Sequence, residues 1–375
     1  MLRSRELVAL RYEGTLCGSG AVPISVLFVE SEQFASEFVH YLGSDRVHPV
    51  APVETLFRGS LLASHCARAR LKREAERADI VIRHWLLGPS RREGEVSHYP
   101  MLEGTLPVQA DIEAQIGYVH SAAHRRRLRS ALMGDSYGST VSADERAFAE
   151  FYDTMYEPYV RGRFGDDASV KSRAPLLELF RQQGRIIQVT RAGKPIASAF
   201  LVPLQAGVLS YDSNGFGGDA LSPDTLAQYT AALELAVLRH AIEFGFRAIA
   251  FGYARARFAD GLFTHKRRMG CSFAPADYSP LVRINIKPSK RPAVFQAFPL
   301  LATENGEFVT HLGLDVAEPE RTVRQWRTQL KTYVLPGVRR IVLHTNAAPT
   351  HPARIAYETA LREIAGTAIE VLRVP

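Results

Sequence analysis

The chain reads as an α/β protein of mixed sheet, with a central core flanked by smaller α/β units towards its N- and C-terminal ends. Three stretches between Gly184 and Gly270 carry that reading. The first is a hairpin, in which Ile186, Ile187 and Val189 precede Arg191-Ala192-Gly193-Lys194-Pro195, and Ile196, Phe200, Leu201 and Val202 follow. β-branched and aromatic runs around a short Gly/Pro turn form antiparallel strands. The second is a long helix from Pro223 to Phe244. Ser222 is placed to cap it, Pro223 fits its first position and Gly245 ends it. Leu226, Tyr229, Leu233, Ala236 and His240 share one face, and Ala232, Leu235, Leu238 and Ile242 make another, so this helix is buried on two sides. The third is the strand Arg247–Phe251, nearly free of polar residues, as suits a central strand covered on both faces.

The bulk properties narrow the class. With 375 residues, more than one domain is expected. Boundaries are expected near residues 105 and 290, giving units 1–105, 106–290 and 291–375. Apolar content of 46% and charged content of 23% are those of a globular chain. A net charge of +7 permits an anionic partner without requiring one. The three cysteines, Cys17, Cys66 and Cys271, stand far apart, so neither a disulfide framework nor a zinc site is expected, and no metal is assigned. No apolar run opens the chain or reaches membrane-spanning length, and a reducing, cytoplasmic setting is expected.

Around the core, residues 1–105 read as a strand at Val22–Val29, a helix at Gln33–Leu42, a basic helix at Leu56–Ala78, a strand at Asp79–Arg83 and a loop at Gly88–Pro100. Residues 106–134 read as one connecting helix capped by Asp111, ending in the basic cluster Arg125, Arg126, Arg127 and Arg129. Ser142 and Glu145 have capping-box spacing. The helix after them carries Phe148, Phe151, Tyr152, Met155, Tyr156 and Tyr159, and Pro158 should end or kink it. A short strand is expected at Val208–Asp212. Lys287–Pro292 reads as a linker into a final unit of alternating strands and helices.

Three motifs resemble the GNAT acyltransferases, and within them the FemAB-like branch. They are FYDTMYEPYVRGRFG at Phe151–Gly165, the hairpin GRIIQVTRAGKPIASAFLV, and ADGLFTHKRRMG at Ala259–Gly270. The resemblance covers residues 120–290. It implies a GNAT-like core that moves an acyl group from a thioester donor, acyl-CoA or an acyl carrier protein, to an amine or hydroxyl of a small molecule or of a glycan or cell-envelope precursor. It also admits an aminoacyl-tRNA donor, as in Fem-type transferases, or a binding protein without catalysis on the same scaffold. The pyrophosphate of CoA would rest on Gly217, Gly218 and the amides leading to Ser222, although Asp224 adds a negative charge to that helix end.

Acyl transfer needs a base for the acceptor, donors for the oxyanion and a proton for the leaving group. Candidate acids and bases stand at strand ends and in the closing segment: Asp212, Tyr253, Asp260 and His265. His265 is attractive because imidazole titrates near neutrality. Tyr156, Tyr159, Arg163, Tyr211 and Lys266 are the candidate substrate-binding residues. Lys266 is expected to face partly inward, onto a donor phosphate or a carboxylate, with Asp212 or Asp260 as the partner.

Overall fold

A computed structural model describes residues 7–16, 22–31, 47–49, 54–59, 65–84, 94–134, 136–165, 170–218, 222–258, 260–279, 281–315, 321–335 and 337–373. The helix expected at Gln33–Leu42 lies outside them. Of the loop expected at Gly88–Pro100, the described end holds a strand, Glu95–His98, with all four residues buried. The chain is mixed α/β throughout and forms two compact units.

One unit takes in Met1–Leu102, Arg255–Asp260 and Pro275–Pro375. Its first sheet runs Val47–Pro49, Leu7–Leu16, Val22–Ser31, Ile80–His84, Val282–Ile286, Glu95–His98, and Glu54–Gly59 also pairs with Leu7–Leu16. The basic helix is shorter than expected, His65–Arg77, because Glu54–Gly59 is a strand paired with Leu7–Leu16 instead. The second sheet runs Leu300–Glu304, Glu307–Leu314, Val338–Thr345, Ala368–Arg373. Its last three strands are parallel, and the connecting segments carry helices Val323–Leu330 and Pro352–Ile364. Lys287–Pro292 is not an open linker. It is a 3-10 turn running into helix Arg291–Ala297, tied down by Lys287 N–H to Asp79 O at 2.9 Å and by Lys290 Nζ to Pro23 O at 3.1 Å.

The other unit takes in Glu103–Ala254 and Gly261–Ala274. Its sheet runs Ser272–Pro275, Met101–Pro107, Ala248–Arg255, Val208–Phe216, Lys194–Leu204, Arg185–Arg191, Tyr137–Ser142. The hairpin is present, turning through Ala192 and Gly193, both at positive φ. The long helix spans Pro223–Glu243, with Ser222 Oγ accepting from Thr225 N–H at 3.2 Å, and ten of its residues are buried, Leu233 completely. It links Val208–Phe216 to Ala248–Arg255, which are parallel, as a helical crossover does.

Three local expectations are corrected in this unit. The connecting stretch 106–134 is two helices, Ile112–Tyr118 capped by Asp111 and Ala122–Met133 capped by Ser121, because Val119 leaves the helical region and is buried. The capping box is absent. Asp144 caps its helix, accepting from Arg146 N–H at 2.9 Å, and Glu145 is drawn to Arg181 at 2.8 Å. The aromatic helix does not end at Pro158. A π-helical turn, Phe151–Tyr156, precedes the proline, and the helix continues through Glu157–Phe164.

Candidate functional site

Two parallel strands of the second unit separate at one level. Val208, Leu209 and Ser210 pair with Ala248, Ile249 and Ala250, and the register stops there. On the first strand, the antiparallel ladder to Lys194–Leu204 pairs Leu201 with Tyr211 and Phe200 with Ser213, so Asp212 is an extra, bulged residue. A bulge raises local twist and bends its strand away from its neighbour. On the second strand Gly252 has φ +66°, a conformation a side chain resists, and it lies two residues beyond the last pair just as Asp212 does. The strand over Val208–Phe216 is thus longer than expected, but leaves its parallel partner after Ser210.

In the same unit the long helix presents Glu234, which is 1% exposed among apolar neighbours. A carboxylate buried so deeply must be paired. Its Oε1 lies 2.6 Å from His265 Nε2, on helix Gly261–Met269. Its Oε2 lies 2.7 Å from His124 Nε2, on helix Ala122–Met133. The two imidazoles stand edge to face at 5.8 Å. Burial alone would raise the Glu234 carboxyl, and the two imidazoles more than offset it, holding the group below its ordinary value. Burial alone would lower His265, and the Glu234 charge and hydrogen bond outweigh that and raise it. His265 is partly exposed, and its other ring nitrogen, Nδ1, has no hydrogen-bond partner among the described residues.

Lys266 is 4% exposed and donates to the carbonyls of Gly252 and Tyr253, each at 2.7 Å. Its side chain faces inward, and both carbonyls belong to the second strand, where that strand leaves its parallel partner. Tyr211 meets Phe251 edge to face at 5.3 Å and its hydroxyl accepts from Asn214 Nδ2 at 3.0 Å. Burial and then the Glu234 charge raise its pKa, so the phenol stays neutral. Cys271 is buried, and burial pushes its thiol up to about 12, which suits packing rather than nucleophilic attack.

The remaining candidates are dispersed. Asp212 pairs with Lys171 at 2.8 Å and accepts from Ser213 Oγ at 2.8 Å. Tyr253 is exposed at the strand end. Asp260 belongs to the first unit and does not share the compact unit of His265. Tyr156 is core, stacked on Phe151 at 5.6 Å, with its hydroxyl accepting from Lys171 N–H at 3.0 Å. Tyr159 packs on Phe216 at 4.9 Å, and Arg163 bonds its hydroxyl. The Gly217 amide donates to Ile196 O at 3.0 Å and so extends the hairpin instead of facing a phosphate. Gly218 is exposed at φ +99°, and Ser222 Oγ is occupied as a cap. Asp219–Leu221 lie outside the described residues.

Glu234 and His124 were not among the candidates. The signal for Glu234 was present: it sits at i+3 from Ala231 and i−4 from Leu238, an acid on a buried stripe. One further pattern needs its context. Gly134-Asp135-Ser136-Tyr137-Gly138 has the spacing of a hydrolase nucleophile elbow, but it runs from helix Ala122–Met133 into strand Tyr137–Ser142, the reverse of the strand-to-helix turn that elbow needs. Among the described residues no group of three or more metal-ligating side chains is assembled, and no helix is long and apolar enough to cross a membrane.

No family model matches the chain, and no curated protein matches it. Among solved structures it is similar to the C-terminal domain of a protein named as a lysylphosphatidylglycerol synthetase from Agrobacterium fabrum, at 12% identity over 78% of this chain and 87% of that one, with a TM-score of 0.36. It is similar to a GCN5-related N-acetyltransferase from Kribbella flavida, at 17% identity over 58% and 72%, with a TM-score of 0.25. A GCN5-related N-acetyltransferase-like protein from Streptococcus suis gives 11% identity over 76% and 84%, with a TM-score of 0.26. These are loose likenesses.

Proposed function

We propose that the chain is a GNAT-type acyltransferase of the FemAB-like branch, moving an acyl group from a thioester to an amine or hydroxyl. One observation carries the reading: parallel strands that part at Asp212 and Gly252, in the same unit as a partly exposed imidazole backed by a buried carboxylate. Parted strands leave edges of unpaired backbone groups that an extended donor arm can pair with, as an added strand does. His265 acts as the base. With Nε2–H donated to Glu234, its Nδ1 takes a proton from the attacking amine or hydroxyl as the new C–N or C–O bond forms. The imidazolium returns that proton to the departing thiolate as the C–S bond breaks, so the proton balance closes. Glu234 favours the charged intermediate state of the ring.

The proposed donor is acyl-CoA or an acyl carrier protein, and the acceptor is a small molecule or a glycan or cell-envelope precursor. An aminoacyl-tRNA donor is the second reading. It is favoured by Arg126, Arg127, Arg129 and Arg268, all exposed and none in an ion pair with a described residue. Calorimetry with CoA and a gel-shift titration with bulk tRNA separate the two. Binding of CoA, lost on adding acyl-CoA competitor, supports the first. Binding of tRNA that weakens steeply with salt supports the second. If neither ligand binds, the reading falls back to a binding protein on this scaffold.

A further inference from the structure

We propose that His124 is a positioning residue that sets the proton affinity of His265 through the carboxylate they share. Its use in catalysis rests on the acyl-transfer reading, whereas the coupling itself does not. Glu234 offers two oxygens, and imidazoles from two different helices take one each: His265 on Oε1 at 2.6 Å and His124 on Oε2 at 2.7 Å. They contact different oxygens, so they do not compete for the same lone pair. With Glu234 1% exposed and His124 8% exposed, little solvent screens these two groups from each other.

One buried negative charge supports one imidazolium well, and a second only against repulsion from the first. His124 Nε2, 2.7 Å from the other oxygen, draws on the same carboxylate, so its removal leaves more of that charge to His265 and strengthens it as a base. The other charged groups facing His265 come from its own helix, Lys266 and Arg268, and both oppose a proton on the ring. Tyr211, on the neighbouring strand, is neutral. Glu234 is thus the negative partner that favours the proton, and His124 is the group that shares it.

The test follows the histidine ring C–H signals of the full chain by NMR against pH, with His265 assigned by its loss in His265→Gln. The His265 midpoint should fall in Glu234→Gln. It should rise in His124→Gln, each shift being about half a unit or more, roughly a threefold change in proton affinity. An unchanged His265 midpoint in His124→Gln overturns the proposal, as does a fall. If His124→Gln does not fold, His124→Asn replaces it. If Glu234→Gln does not fold, the His124 variant alone decides. The titration needs neither donor nor acceptor. A shifted midpoint in a protein that transfers no acyl group upholds the coupling and counts only against the acyl-transfer reading. Where turnover is measured, the His124 variant should move the acid limb of the kcat/KM profile upward, which a purely structural loss would not do.

Discussion

Lys266 Nζ donates to the carbonyl oxygen of Gly252 at 2.7 Å, and to the next carbonyl, Tyr253 O, at the same distance. A single ammonium thus pins the strand where it leaves its parallel partner, at the residue with φ +66°. Its stem lies against Gly104, where an added Cβ would come within 2.9 Å of Lys266 Cδ. Lys266→Met should remove both charge-assisted hydrogen bonds, at about 1.5–3 kcal/mol each, and lower the melting temperature. Arg268→Ala, at an exposed position, should change stability by less than about 0.5 kcal/mol. Equal melting temperatures for the two variants would show that the pin is not structural.

Gly215 tests the packing under the bulged strand. A Cβ there would stand 2.5 Å from Met155 C and 2.5 Å from Tyr156 N, both backbone atoms of the π-helical turn that cannot rotate away. Gly215→Ala should lower stability by about 1–3 kcal/mol or more, read as a drop in the denaturation midpoint. Gly261→Ala, with nothing within 4 Å of the added carbon, is the control and should leave the midpoint close to its original value.

Leu233 is fully buried in the long helix. Leu233→Asp places a carboxylate in that core beside the charge already spent on Glu234. The cost should be several kcal/mol, about what a marginal domain can lose before unfolding. Soluble expression with an unchanged melting curve would contradict the burial of this helix.

The two units should respond to pH in different ways. In the first, burial holds His344 down to about 3 and His98 to about 4, so both stay neutral when folded. Below their ordinary value of 6.5 the unfolded chain takes up protons that the folded chain refuses. Stability from these groups is therefore complete above pH 6.5 and declines as pH falls towards 4 and 3, by on the order of 2 kcal/mol each at pH 5. In the second unit His265 is raised, so its contribution is complete below 6.5 and is lost as pH rises through the folded value. Glu234 is lowered, so its contribution is lost only in stronger acid, below 4.5. Denaturant titrations at pH 5 and 7.5, on wild type and His344→Phe, check the first unit. The variant should show a smaller loss at pH 5.

Local patterning determined much of this protein. The hairpin, the two-sided long helix with its Ser222 cap and the buried strand after it all follow from side-chain period and turn chemistry, which neighbouring residues decide among themselves. His265 and Lys266 were legible because chemistry-bearing residues stood consecutively on one short helix. Tertiary structure decided the rest. Strand Val282–Ile286 lies between Ile80–His84 and Glu95–His98, a pairing made by backbone groups far apart in the chain that no local period encodes. The gap between the parallel strands depends on the bulge at Asp212, visible only as a register shift against a second strand. Glu234 and His124 stand 110 positions apart in the sequence and become one site because two helices pack together. A buried carboxylate seeks whichever cations the fold brings within reach, and which ones those are is set by packing rather than by sequence distance.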